Sequence, residues 1–88
     1  MLYAAGLTNN KIHRFFIDLG GNPQQKDTIT AASPAAIDFS ADGMEMFSAG
    51  HKDSDILQRF RYDATGDTWT ASTEAAAQKS LGDVLVLP

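Results

Sequence analysis

Two stretches of this chain are copies of each other, and that repetition restricts the available folds more than any other feature. Tyr3-Ala4-Ala5-Gly6 matches Phe47-Ser48-Ala49-Gly50, and Arg14-Phe15-Phe16-Ile17-Asp18 matches Arg59-Phe60-Arg61-Tyr62-Asp63. The spacing is roughly 44 to 45 residues, a period typical of repeat architectures built from small supersecondary units. The difference of one residue falls between the paired segments, where Leu7-Thr8-Asn9-Asn10 stands against the longer His51-Lys52-Asp53-Ser54-Asp55. Loops absorb such insertions and strands do not.

The copied segments have the pattern of β-strands. Ile56, Gln58, Phe60 and Tyr62 alternate with Leu57, Arg59 and Arg61, and His13, Phe15 and Ile17 alternate with Ile12, Arg14 and Phe16. A period of two with aromatics on one side predicts half-buried strands whose core face carries Phe15 and Phe60. Ala36-Ile37-Asp38-Phe39-Ser40 alternates too, and Asp42-Gly43 supplies the positive-φ residue of a tight hairpin before Met44. Gly20-Gly21-Asn22-Pro23 and Thr65-Gly66-Asp67 punctuate the strand ends. Strands are expected near Leu2 to Gly6, Lys11 to Ile17, Asp27 to Ala31, Ile37 to Ser40, Glu45 to Ala49, Asp55 to Tyr62 and Thr68 to Thr73. Glu74 to Lys79 contains good helix formers, so a single helical turn in this connection is the alternative there.

The expected fold class is all-β: a β-propeller fragment of about two four-stranded antiparallel blades, completed by oligomerisation. Residues 1–34 form a first blade of three strands, 35–78 a second of four, and 79–88 a tail. Val84-Leu85-Val86-Leu87 stands where a further copy would begin its innermost strand, and it is expected to close onto a neighbouring blade. That would cover two open sheet edges. Three such chains would make a six-bladed ring. Self-association or further propeller blades also fit the size, since 88 residues bury only about 60 to 65% of their unfolded surface and the chain has no cysteine to staple a thin core.

The string Ala36-Ile37-Asp38-Phe39-Ser40-Ala41-Asp42-Gly43-Met44-Glu45-Met46-Phe47, followed by Asp55-Ile56 and Arg59-Phe60-Arg61-Tyr62-Asp63, resembles the blade repeat of YVTN and lactonase-like propellers. It is similar as well to the FSxDGxxMY repeats of phage and bacterial-surface propellers. The resemblance covers nearly the whole chain. It implies a fold, while activities in such families range from lactone hydrolysis to binding and scaffolding. The first copy departs from the pattern in lacking its own Asp-Gly hairpin.

In a propeller, the loops at 7–10, 31–34 and 51–55 emerge on one face, the usual place for ligands. Asn9, Asn10, His51, Lys52 and Asp53 are the candidate ligand-binding residues there, and Trp69 is a candidate sugar-stacking aromatic, with packing between blades as its other reading. His13 reads as a hydrogen-bonded core or rim histidine on the inward face. Asp53-x-Asp55 and Asp63-x-x-Gly66-Asp67 lack the ligand spacing of a calcium loop and read as turn caps. Arg14 and Arg59 read as weak structural ion pairs.

The motifs for a catalytic serine elbow, a phosphate loop or a zinc peptidase are missing, so no catalytic residue, metal or cofactor is expected. The net charge of -4, with its seven Lys and Arg scattered, predicts no nucleic-acid partner. No apolar run approaches the roughly 20 residues of a bilayer span, which predicts no membrane insertion. The expected function is a non-catalytic scaffold or recognition module binding protein or glycan, as in a virion or cell-surface structure. The rival is a fragment of a larger propeller enzyme of lactonase or oxidoreductase type.

Overall fold

A computed structural model describes residues 1–6, 9–50, 56–76 and 85–87, and for 73–76 the backbone alone. Its described residues form two antiparallel sheets and no helix. β1 (Leu2–Gly6), β2 (Lys11–Ile17) and β3 (Pro23–Thr30) form the first sheet; β4 (Pro34–Phe39), β5 (Glu45–Gly50), β6 (Ile56–Asp63) and β7 (Thr68–Ala76) form the second. In both sheets the strands lie side by side in chain order. Pro23 and Pro34 each open an edge strand, where a missing N–H leaves no ladder bond unmade. Glu74 to Ala76 continue β7, so the alternative helical turn is not formed over these residues. The rest of that segment, 77–79, lies outside the described residues.

The two sheets repeat one pairing scheme. Leu2, Tyr3 and Ala4 sit opposite Phe15, Arg14 and His13, as Met46, Phe47 and Ser48 sit opposite Phe60, Arg59 and Gln58. Each central strand is then bulged against the following strand at one matching step, between Arg14 and Phe15 in the first sheet and between Arg59 and Phe60 in the second. A bulge locally bends and twists its strand. The duplication is therefore one of shape as well as of sequence.

The sheets stack through opposite faces. The second contributes the Phe60 side, with Met46 and Phe60 at 0% and 1% exposure. The first contributes its Arg14 side, where Ile12 is fully buried and Ile29 nearly so. The expected core face is thus correct for Phe60 and wrong for Phe15: Phe15 and His13 are half-buried on the side turned away, and Ile17 beyond them is 50% exposed. The reason is stacking. The two sheets follow one another head to tail, so their one joint takes the Arg14 side of the first and the Phe60 side of the second, where a two-fold arrangement would have buried equivalent sides. At the joint Tyr3 meets Phe39 edge-on at 4.8 Å between ring centroids, and Trp69 packs on both rings.

The hairpin ends follow local chemistry. Ser40 and Glu45 close the β4–β5 hairpin by a backbone bond of 2.9 Å, and Gly43 takes φ 72 within it. A side chain there would be strained, which is the role expected for Asp42-Gly43. Asp42 also accepts from Met44 N and Ser40 Oγ. At the β2–β3 turn Asp18 accepts from the backbone N–H groups of Gly20 and Asn22. Residues 85–87 belong to no strand of this chain; Val86 N donates to Asp38 Oδ2 at 2.7 Å, on the side of β4 turned away from the joint.

Candidate functional site

The β1–β2 turn and the β3–β4 crossing meet at one end of the stack. Asn10 adopts φ 57, a left-handed conformation that asparagine tolerates. Its Oδ1 accepts from Ser33 N at 2.9 Å and from Ser33 Oγ at 3.2 Å, while its carbonyl accepts from Ala31 N. Gln58 Oε1 accepts from Ala32 N at 2.8 Å. The crossing between sheets is thereby tied to the β1–β2 turn of the first sheet and to β6 of the second.

Asn9 turns the other way, with Nδ2 at 3.1 Å from His13 Nε2, and Gln25 Nε2 lies 3.2 Å from His13 Nδ1. A neutral imidazole accepts at only one nitrogen, so one of the two amides must offer its oxygen to the ring N–H. His13 is a hydrogen-bonded rim residue; the correction is that it faces away from the second sheet. A Cβ at Gly6 would run into Asn9 Oδ1 and come to 3.0 Å from the Lys11 carbonyl, so glycine there lets the turn close. His51, Lys52 and Asp53 lie outside the described residues, as do Ser54 and Asp55. Asn9 and Asn10 are neighbours in one turn, but their side chains part, Asn9 to His13 and Asn10 to Ser33, and Trp69 does not join them.

Trp69 instead sits close to the β6–β7 turn, at the other end. Its ring lies 5.0 Å from Tyr62 and 6.0 Å from Phe39, and Nε1 donates to the Tyr3 hydroxyl at 3.0 Å. Packing between sheets is its place in the fold. One edge of it borders an open cleft of about 370 Å³ between β3 and β7, lined also by Thr28, Thr30, Thr68 and Thr70.

At the bottom of that cleft is a group the sequence left undistinguished. Arg14 is 2% exposed. It holds Asp27 with two hydrogen bonds, from Nε at 2.6 Å and from Nη2 at 2.5 Å. It also reaches across the joint, donating from Nη1 to Asp67 Oδ1 and from Nη2 to the Asp67 carbonyl, both at 2.9 Å. Tyr62 and Lys26 donate to the same Asp67 carboxylate. The Arg14 guanidinium holds the Asp27 carboxyl below the ordinary carboxylate range and is itself held more firmly protonated by Asp27.

Asp67 takes φ 52, where glycine would be unstrained. The network gives the physical reason for an acid at this position, and no calcium role is needed: Asp63 caps the turn by accepting from Thr65 N. Arg59 holds the matching position in the second sheet but among the described residues its side chain pairs with Glu45 alone, by bonds of 2.8 and 2.7 Å on a face 34% exposed at the arginine. Sequence reading missed the Arg14 cluster because its two arginines look alike; the available signal was an acid following Gly66 in the turn, at the same offset from Arg59 as Asn22 from Arg14.

Chemically, these groups bind one another. Among the described residues no three His, Asp or Glu are grouped so as to hold a metal ion. One buried polar atom, Ser48 Oγ, has no hydrogen-bond partner among them. No helix of the described residues is long and apolar enough to cross a membrane. No protein-family model matches the sequence, and no curated protein matches it.

Proposed function

We propose that the chain is a two-blade β-propeller segment acting as a non-catalytic scaffold or recognition surface for protein or glycan, in a structural assembly such as a virion or cell surface. One observation supports this above the others. Its two sheets share one register, bulge included, and stack through opposite faces, which is how identical blades are added around an axis. Among the described residues, polar side chains are engaged in holding that stack: Arg14, Asp27 and Asp67 at the joint, Asn10 and Gln58 at the crossing. What such a molecule offers a partner is surface, with Thr28, Thr30, Thr68 and Thr70 along an open cleft and Asn9 at the loop end.

The test sets a panel of lactones and a glycan array against the same preparation. The reading predicts no turnover, and saturable binding to glycan or to an immobilised partner protein that Thr30→Arg, at the cleft wall, or Asn9→Ala, at the loop end, weakens. Lactone turnover that disappears in His51→Ala would replace it with the enzyme reading.

A further inference from the structure

Stacking through opposite faces leaves each sheet with one side on which, among the described residues, no other sheet stands. Residues 85–87 reach that side of the second sheet, where Ala49 is fully buried, and these outer sides match the covered ones. On the first sheet, Leu2 (47% exposed), half-buried Phe15 and Ile17 (50% exposed) occupy the positions of Met46, Phe60 and Tyr62, the side the second sheet already buries. On the second sheet, half-buried Phe47, Leu57 and Arg59 occupy the positions of Tyr3, Ile12 and Arg14, the side the first sheet already buries. The chain thus carries both halves of a second joint of the kind it has already made once, facing in opposite directions.

We infer that the Phe15 face of one copy packs on the Leu57 face of a second copy, reproducing between chains the joint within the chain. The partner is a second copy because each outer face repeats the chemistry of the mate of the other. Three further features agree. Among the described residues β1 is an open edge of the first sheet; unpaired edges invite strand addition. Residues 85–87 are anchored through Val86 on Asp38, which lies on the Leu57 side of the second sheet, so they stand where an incoming β1 edge would arrive.

Arg59 matches Arg14 in the ladder, and Arg14 grips across its joint partly through a backbone carbonyl, that of Asp67. Any turn in that place supplies such an acceptor, and the β2–β3 turn at Asn22 is the corresponding one. The contact joins unlike faces, so it propagates head to tail into a ring or a fibre.

This inference deepens the scaffold reading and rests on it for the stacking rule alone. The test measures mass by light scattering for the wild type, Phe15→Glu, Leu57→Glu and an equimolar mixture of the two variants. Phe15→Glu keeps an intact Leu57 face and Leu57→Glu keeps an intact Phe15 face. The wild type should be oligomeric and each variant monomeric, and the mixture should form a one-to-one dimer that grows no further. A monomeric wild type, variants that assemble like it, or a mixture that stays monomeric would each overturn the inference.

Near-UV circular dichroism of Trp69 reports folding; should a variant fail to fold, Ile17→Lys and Arg59→Glu, which alter more exposed groups of the two faces, replace the pair with the same outcomes. A monomeric chain that still binds glycan or protein would end this inference and leave the scaffold reading standing. An oligomeric chain that hydrolyses lactones would do the reverse.

Discussion

Phe15 and Phe60 hold one position in two copies of the same sheet, yet Phe60 is shut inside at 1% exposure while Phe15 is half open. Arg14 and Arg59 show the reverse, the first buried at 2% and engaged across the joint, the second on an open face with Glu45. Local sequence and register are equal at both pairs of positions. What differs is the neighbour. In a stack of sheets, a residue's burial is decided by whether another sheet stands on its side, and the same residue type becomes core or surface accordingly.

The largest expected effects separate the members of each pair. Phe60→Ala should destabilise by about 3 to 5 kcal/mol, since it empties a filled site, and Phe15→Ala by much less in the monomer; chemical denaturation compares them directly. Arg14→Ala should cost less, about 1.5 to 3 kcal/mol, because it removes charge-assisted hydrogen bonds across the joint while the Asp27 and Asp67 carboxylates, 44% and 38% exposed, regain water. Arg59→Ala should cost a small part of that. Equal losses in either pair would break the comparison.

Asp67→Gly tests how strain and charge balance. Glycine relieves the left-handed backbone, worth about 1 kcal/mol, but removes the acceptor shared by Arg14, Lys26 and Tyr62. A net loss of stability is expected, reduced but not abolished in Asp67→Asn, which tolerates the backbone and lacks the charge.

Acid should act through the same contrast. Asp27 and Glu45 have folded pKa values below their unfolded ones because of Arg14 and Arg59 respectively. Their contribution is therefore complete above the unfolded carboxylate range near about 4 and is lost as pH falls through the lower folded values. Unfolding followed from neutral pH down to about pH 2 should show this loss, and Arg14→Met should flatten it more than Arg59→Met does. The smallest effect is expected at Ser48, whose buried hydroxyl has no hydrogen-bond partner among the described residues. Ser48→Ala should be neutral or stabilising, by up to about 1 kcal/mol, in the same denaturation assay.

The order of the strands and most of their positions were legible in the sequence because alternation and punctuation agree, although β3 begins at Pro23 and not Asp27, β4 at Pro34 and not Ile37, and β7 runs on to Ala76. Lys11 to Ile17 is bounded by Asn10 and by Asp18 with its glycines, and Asp42-Gly43 forces a turn wherever it is placed. The buried side of β2 was not legible, since Ile12, Phe15, Phe16 and Ile17 put apolar atoms on both faces and the bulge after Arg14 changes the pairing step midway. Periodicity describes one strand, whereas the choice of face belongs to the pair of sheets. For the same reason the turn at Asn9 and Asn10 could be placed from loop order alone, but not that their side chains part towards His13 and Ser33, and Trp69 needed the joint to show that its indole bonds Tyr3, 66 residues away in the chain.

The central claim, two copies stacked through opposite faces, is tested most directly by nuclear Overhauser contacts between assigned aromatic rings in the monomeric Leu57→Glu variant. The account predicts strong contacts between Tyr3 and Phe39, whose ring centroids lie 4.8 Å apart, and from Trp69 to both. Contacts between Phe15 and Phe60, with none between Tyr3 and Phe39, would mean that equivalent faces meet and would contradict it.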